Sequence, residues 1–229
     1  MHFTSKKSPS ITPYKLCGNT LQVTQSHPYL GVTFSSDLKW NSHISKVTKG
    51  CKRTLGVIRR NFKSCTPDVK SRLYLSLVQP KLEYGTTAWY PSTKKAKYQL
   101  DMVQRSAARM CLNDYSRDSS VTSMISSLQW TDLETRRAIV RLAMMFKINC
   151  GLVDVDWEPY LTRPTRQLKR THPFSFQQPR TRTTIYSDSF FPWTVKHWNN
   201  LPHHILDAPN PKIFKSRFRD LFDDTDTTS

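Results

Sequence analysis

The chain has 229 residues, with 35 lysines and arginines against 17 aspartates and glutamates, and so a formal net charge of +18. Its hydrophobic content of 37%, with 11% aromatic residues, excludes a disordered chain, and no apolar run approaches the ~18 residues of a membrane span. Five cysteines, odd in number and widely spaced, with no C-x-x-C and no histidine pair at zinc spacing, exclude a disulfide scaffold and a zinc ribbon. The expectation is an intracellular protein, nuclear or cytoplasmic, with no signal peptide and no membrane partner. The charge balance points to a polyanion as its partner.

Residues 1–36 read as strands and turns. A short apolar stub, Met1-His2-Phe3, precedes a polar loop. Tyr14 to Leu16 and Leu21 to Val23 flank Cys17-Gly18-Asn19-Thr20, a four-residue turn with Gly and Asn where positive φ costs little, which predicts a hairpin. Tyr29 to Phe34 alternates as a half-buried strand should, with Leu30, Val32 and Phe34 on one face.

Residues 37–151 read as helices joined by short loops, a bundle pattern. Ile44, Val47, Cys51, Leu55, Ile58 and Phe62 fall within an arc of about 80° on a helical wheel. Lys46, Lys49, Lys52, Arg53, Arg59, Arg60 and Lys63 fall on the other side. From Lys39 to Arg72 there are ten basic residues and one acid, Asp68. Like charges at i, i+4 repel, so a face of one sign calls for an anionic ligand. A second helix starts at Thr66-Pro67-Asp68, carries Val69, Leu73 and Leu77, and must kink or stop at Pro80. A third spans about Lys95 to Leu112, with Leu100, Val103, Ala107 and Met110 inward and Arg105 and Arg109 on the other side. A short helix follows over Val121 to Leu128. The last opens on a capping box at Thr131-Asp132-Leu133-Glu134, runs to Cys150 and stops at Gly151. From Val140 to Ile148 it is apolar nearly all round, which places it inside.

Residues 152–229 read as a basic, mostly irregular extension. Arg163 to Arg182 holds Arg163, Arg166, Lys169, Arg170, Arg180 and Arg182 without an acid, together with Phe174 and Phe176. This suits either nucleic acid, with charge for phosphates and rings for bases, or a basic linker with two core anchors. Short helices are expected at Pro192–Asn199 and, with Ile213, Phe214, Phe218 and Leu221 inward, from Asn210-Pro211 onward. The tail after Phe222 is acidic and expected to fray.

Catalytic signatures are missing. The sequence has no phosphate-binding G-x-x-x-x-G-K-[ST], no G-x-G-x-x-G, no G-x-S-x-G and no H-E-x-x-H. Asp154, Asp156 and Glu158 sit in a loop just past a helix stop, and Asp223, Asp224 and Asp226 in a polar tail. Neither setting has the rigidity that a two-metal carboxylate site needs. His203-His204 reads as a polar turn.

Several segments resemble the reverse transcriptases of non-LTR (LINE-type, jockey-like) retrotransposons. They are Tyr29-Leu30-Gly31-Val32, Asp37-Leu38-Lys39-Trp40-Asn41-Ser42-His43-Ile44, Arg53-Thr54-Leu55-Gly56 and Arg59-Arg60-Asn61-Phe62. The match continues through Leu77-Val78-Gln79-Pro80-Lys81-Leu82-Glu83-Tyr84-Gly85, Ala88-Trp89, Gln104-Arg105-Ser106-Ala107-Ala108-Arg109 and Asn113-Asp114-Tyr115-Ser116. Ser189-Phe190-Phe191-Pro192 and Trp198-Asn199-Asn200-Leu201-Pro202 complete it. Their order and spacing, more than any one of them, carry the resemblance.

The resemblance implies a mainly α fold: a small antiparallel remnant of a polymerase palm over 1–36, a helical thumb over 37–151 and an extension over 152–229. It implies a primer grip at Tyr29, Leu30 and Gly31, and nucleic-acid contacts from the seven cations of residues 46–63 with Arg105 and Arg109. The implied partners are an RNA–DNA template–primer duplex or RNA, and the palm and fingers of the same polymerase. The Y-x-D-D turn and the upstream aspartate that hold the family's metals are absent. This stretch is therefore expected to bind no cofactor, Mg²⁺ belonging to the intact polymerase, and not to be an enzyme on its own. The alternatives are a stand-alone nucleic-acid-binding module without sequence preference and a non-functional transposon relic.

Overall fold

Residues 1, 3, 12–164 and 172–226 are described by the computed structural model. Two small antiparallel hairpins come first. Strands β1 (Lys15–Leu16) and β2 (Asn19–Thr20) are joined by Cys17-Gly18, with φ of 49° and 81°. Strands β3 (Ser26–Tyr29) and β4 (Val32–Ser35) are joined by Leu30-Gly31, with φ of 46° and 82°. Two residues with positive φ match the twist of the flanking strands, which is why both turns are this short. The expected first hairpin is present with a turn of two residues rather than four. The expected strand at Tyr29–Phe34 is a correction: its first part is the turn of a second hairpin. Leu30 lies in that turn, 74% exposed, and only Val32 and Thr33 of the stretch are buried.

Ten helices follow among the described residues: α1 (Asn41–Asn61), α2 (Pro67–Leu77), α3 (Gln79–Glu83), α4 (Lys94–Leu112), α5 (Val121–Ser127), α6 (Leu133–Asn149), α7 (Thr184–Ser187), α8 (Phe190–Trp198), α9 (His203–Leu206) and α10 (Pro211–Asp226). The fold is mainly α with a small antiparallel β part, as the sequence predicts. Pro80 acts as expected: α2 ends at Leu77 and the chain resumes as α3.

Two compact units form. The first is Met1–Leu82 with Thr93–Ser119, and the second is Glu83–Ser92 with Ser120–Ser229. In the first, α1, α2 and α4 pack on one another, and β4 packs on α1. Ile44, Cys51, Leu55 and Ile58 of α1 and Leu100, Val103, Ala107 and Ala108 of α4 are core residues of this unit. The inward face of α2 differs from expectation. Val69 and Leu77 are 40% and 46% exposed, while Tyr74 and Val78 are fully buried and Lys70 lies under the surface. A turn of about 100° along so short a helix exchanges one row for the other, and the larger ring wins the buried place.

The second unit is built on α6. Its N-cap is Asp132 rather than Thr131, the carboxylate accepting from the backbone N–H of Glu134 and Thr135 at 2.8 and 2.9 Å. Its end is as expected: Gly151 has φ of 66°, and the N–H of Leu152 bonds to the carbonyl of Lys147. The apolar second half of α6 needs a coat on every side, and residues from 157 to 221 supply it. Phe146 meets Phe214 with centroids 4.7 Å apart, and Trp198, Phe176, Val195 and Phe218 join the same core. The sequence groups α6 with the helices before it; in the structure it shares its core with the C-terminal segment. That segment is more ordered than expected, with helices at α7 to α10, and α10 continues to Asp226.

Candidate nucleic-acid interface

The joint ahead of α1 sets its direction. Asp37 caps the N–H of Lys39 at 3.0 Å, Leu38 takes φ of 54°, and the Trp40 ring meets Phe34 edge-on with centroids 5.4 Å apart. The Thr33 N–H donates to His43 Nδ1 at 3.2 Å across the joint. Burial, with a smaller contribution from Lys46, pushes the His43 imidazole down to about 4. It is therefore neutral at physiological pH, as an acceptor nitrogen requires.

From this joint α1 runs 21 residues, about 30 Å at 1.5 Å per residue. Of the stripe read from the sequence, Ile44, Cys51, Leu55 and Ile58 are buried and Val47 and Phe62 half-buried, and His43 and Thr48 are buried beside it. Lys46, Lys49, Lys52, Arg53, Arg59 and Arg60 project from the opposite arc, and Lys63 follows two residues past the helix end. All seven are exposed, and none forms an ion pair with an acid among the described residues. Arg59 and Arg60 occupy the last turn, where the helix dipole favours cations.

A furrow runs between α1 and α4. One hollow of about 330 Å³ is lined by Ser45, Thr48, Lys49 and Lys52 on α1 and by Tyr98, Gln99 and Met102 on α4. A second, of about 160 Å³, shares Lys52 and continues past Gly56 and Arg59 to Ser106, Met110 and Tyr115. Tyr98 and Tyr115 are 59% and 52% exposed. Arg105 is exposed on α4, one turn beyond Met102. Arg109, expected as a ligand contact, serves the fold. Its guanidinium donates to the carbonyls of Asp114, Ser116 and Ser119 at 3.4, 2.6 and 3.5 Å. Asp114 accepts in turn from the Ser116 N–H at 2.9 Å. Hydrogen bonds from Ser119 and Ser116 hold the Asp114 carboxyl below its usual range. Tyr115 sits at the centre of this braced loop. Tyr98, Gly56 and Tyr115 were not singled out as site residues by sequence reasoning. The row Tyr98, Met102, Arg105 at helical spacing was the signal available.

Tyr29, Leu30 and Gly31 form the exposed tip of the β3–β4 hairpin, with Tyr29 64% exposed. Leu30 with positive φ is an outlier for an aliphatic residue, and such backbone is held only where surrounding structure imposes it.

The basic stretch Arg163–Arg182 divides. Arg166, Lys169 and Arg170 lie outside the described residues, as does His2 of the N-terminal stub. Arg163 covers the Phe176 ring at 4.0 Å and donates to Asn149 Oδ1 at 2.7 Å. Phe176 is a core residue and Phe174 packs against that core. The Trp198-Asn199 pair clamps this segment: Trp198 Nε1 donates to the Phe174 carbonyl at 3.0 Å, and the Asn199 amide bonds both backbone groups of Phe176 at 3.0 and 2.7 Å. Among the described residues no three of His, Cys, Asp and Glu come together as a metal site. No helix among the described residues is long and apolar enough to cross a membrane.

Over 160 residues, 66% of the chain, the sequence is 24% identical to a 115 kDa protein in the type-1 retrotransposable element R1DM of Drosophila melanogaster. The chain covers 15% of that relative's length. This likeness relates the chain to proteins carried by retrotransposons. No family model matches it, and no solved structure does.

Proposed function

We propose that this chain is the nucleic-acid-holding part of a non-LTR retrotransposon reverse transcriptase. In this reading the α1, α2, α4 unit is the thumb and the β3–β4 tip the primer grip. The observation that carries the reading is the cationic face of α1: six exposed lysines and arginines, with Lys63 just past the helix end, and no described acid paired to them. The face grips the phosphates of a template–primer duplex without reading bases, because phosphate contacts position but carry no sequence information. The likeness to R1DM supports the retrotransposon setting. The bond-forming step needs metal-holding carboxylates on a rigid strand, and these come from elsewhere in the polymerase.

The test is binding of an RNA–DNA duplex to the purified chain over a salt series. Affinity should fall log-linearly, each neutralised phosphate contributing a slope of about −0.9 on a B-form duplex. Changing Lys49, Lys52 and Arg60 together to Glu should weaken binding more than 100-fold with an unchanged circular dichroism spectrum. A flat salt response, or a triple variant that binds like wild type, overturns the reading. Primer extension with Mg²⁺ or Mn²⁺ should give no product, and extension that follows the chain through purification would refute the non-catalytic role.

A further inference from the structure

The six cations of α1 form two rows. Lys46, Arg53 and Arg60 recur every seven residues on the outer side of α1. Lys49, Lys52 and Arg59 border the furrow with α4. The furrow combines three properties. One rim is cationic. Its middle is built from small or flexible side chains, Ser45, Thr48, Gly56, Met102 and Ser106. Two half-exposed tyrosine rings flank it, neither stacked on another ring among the described residues.

We infer that the α1–α4 furrow binds an unpaired stretch of nucleic acid, with phosphates on Lys49, Lys52 and Arg59 and bases against Tyr98 and Tyr115. The inference rests on the nucleic-acid reading above and adds the strand state of the ligand. Packed helices stand about 8–10 Å apart, so the furrow between them is far narrower than a duplex, whose major groove alone is about 12 Å wide. A duplex can touch the rim and the outer row; only a single strand can enter. Charge for the backbone and flat faces for the bases is the chemistry that single strands require. From Ser45 to Arg59 the furrow follows α1 for about 20 Å, room for a few nucleotides. Tyr115 is offered at little entropic cost, because Arg109 ties down the loop that carries it.

Gly56 provides a plug that leaves every charge in place. A methyl group there would meet only Arg60 Nη1 at 3.6 Å, an ordinary van der Waals contact. Gly56→Leu fills the furrow and favours the helix. Tyr98→Ser removes a ring from an exposed position. Fluorescence anisotropy would compare 12-mers of oligo(dT) and oligo(U), the DNA and RNA arms, with an RNA–DNA duplex of equal length. Each variant should weaken at least one single strand by about five-fold or more, the size of a lost stack, and leave duplex affinity within two-fold. Variants that leave both single strands unaffected, or weaken single strand and duplex alike, overturn the inference. Wild type that binds duplex but neither single strand overturns it while the duplex reading stands. Wild type that binds no nucleic acid overturns both.

Discussion

In α1 every lysine and arginine faces water; in α6, Arg137 and Arg141 are each 1% exposed. The Arg141 guanidinium lies 4.7 Å from the Trp193 centroid, 4.9 Å from Tyr90 and 5.7 Å from Phe190, and donates to the Asp188 carbonyl at 3.1 Å. Burial pushes it down to about 10, so it remains a cation at neutral pH. Apart from Lys70, the first unit keeps charge out of its core, to the point of holding His43 neutral, and displays it along one helix. The second takes a cation inside and surrounds it with ring faces, whose quadrupoles replace part of the lost hydration. A positive residue is thus displayed to solvent along α1 and packed among rings at Arg141. What separates the two is whether aromatic rings are there to receive it.

The sharpest way to break this comparison is Arg141→Ala. It leaves a void among three rings and should lower the stability of the second unit by about 3 kcal/mol in urea unfolding, with nucleic-acid affinity unchanged. Arg141→Met keeps the volume and drops the charge, so it should cost under about 1 kcal/mol. An equal loss from both would mean that the charge, not the packing, holds the site.

The next effect is on acid stability. Between about 4 and 6.5 the folded chain carries fewer protons on His43 than the unfolded chain, so stability falls as pH drops through that window. The loss is on the order of 1–2 kcal/mol. His43→Gln offers an acceptor to the Thr33 N–H and should flatten that part of a melting-temperature profile against pH. The part due to His172 and His197, also pushed down by burial, should remain. A profile as steep as wild type would show that His43 does not set it.

The smallest effect falls on the display side. The Lys49, Lys52, Arg60→Glu variant should unfold within about 0.5 kcal/mol of wild type, since exposed charges contribute little to stability. A larger loss would mean that the α1 face takes part in the fold.

Much of the first unit was legible because short-range periodicity writes it. The stripe Ile44, Cys51, Leu55, Ile58 and the spacing of Leu100, Val103 and Ala107 each repeat at helical intervals, and both turned out buried. Leu30 was misread because an alternating pattern fits a strand, while the turn it occupies requires a φ that leucine disfavours. The inward face of α2 was misread because eleven residues hold two plausible rows and the tertiary neighbours choose. The second core was hidden for another reason. Phe176 and Phe214 each carried a packing signal, but nothing local ties them to one another, to Trp198 and His172, or to α6, and only the folded chain brings them together. Arg141 was invisible for the same reason: nothing near it in sequence announces Tyr90 or Trp193. Of the candidate interface, the seven cations were legible from one helix; the furrow, which takes two helices and a braced loop, was not.

The first hairpin has a consequence for how copies of this chain meet one another. Leu16 on β1 and Tyr14, Leu21 and Val23 beside these two-residue edge strands are more than half exposed. Such edges template pairing between molecules. A net charge of +18 is the colloidal barrier that keeps them apart. A bound polyanion lowers that barrier in proportion to the phosphates it brings. Near charge neutrality the hairpin edges become the adhesive part of the surface, and coating a nucleic acid with many copies turns from a repulsive arrangement into an attractive one.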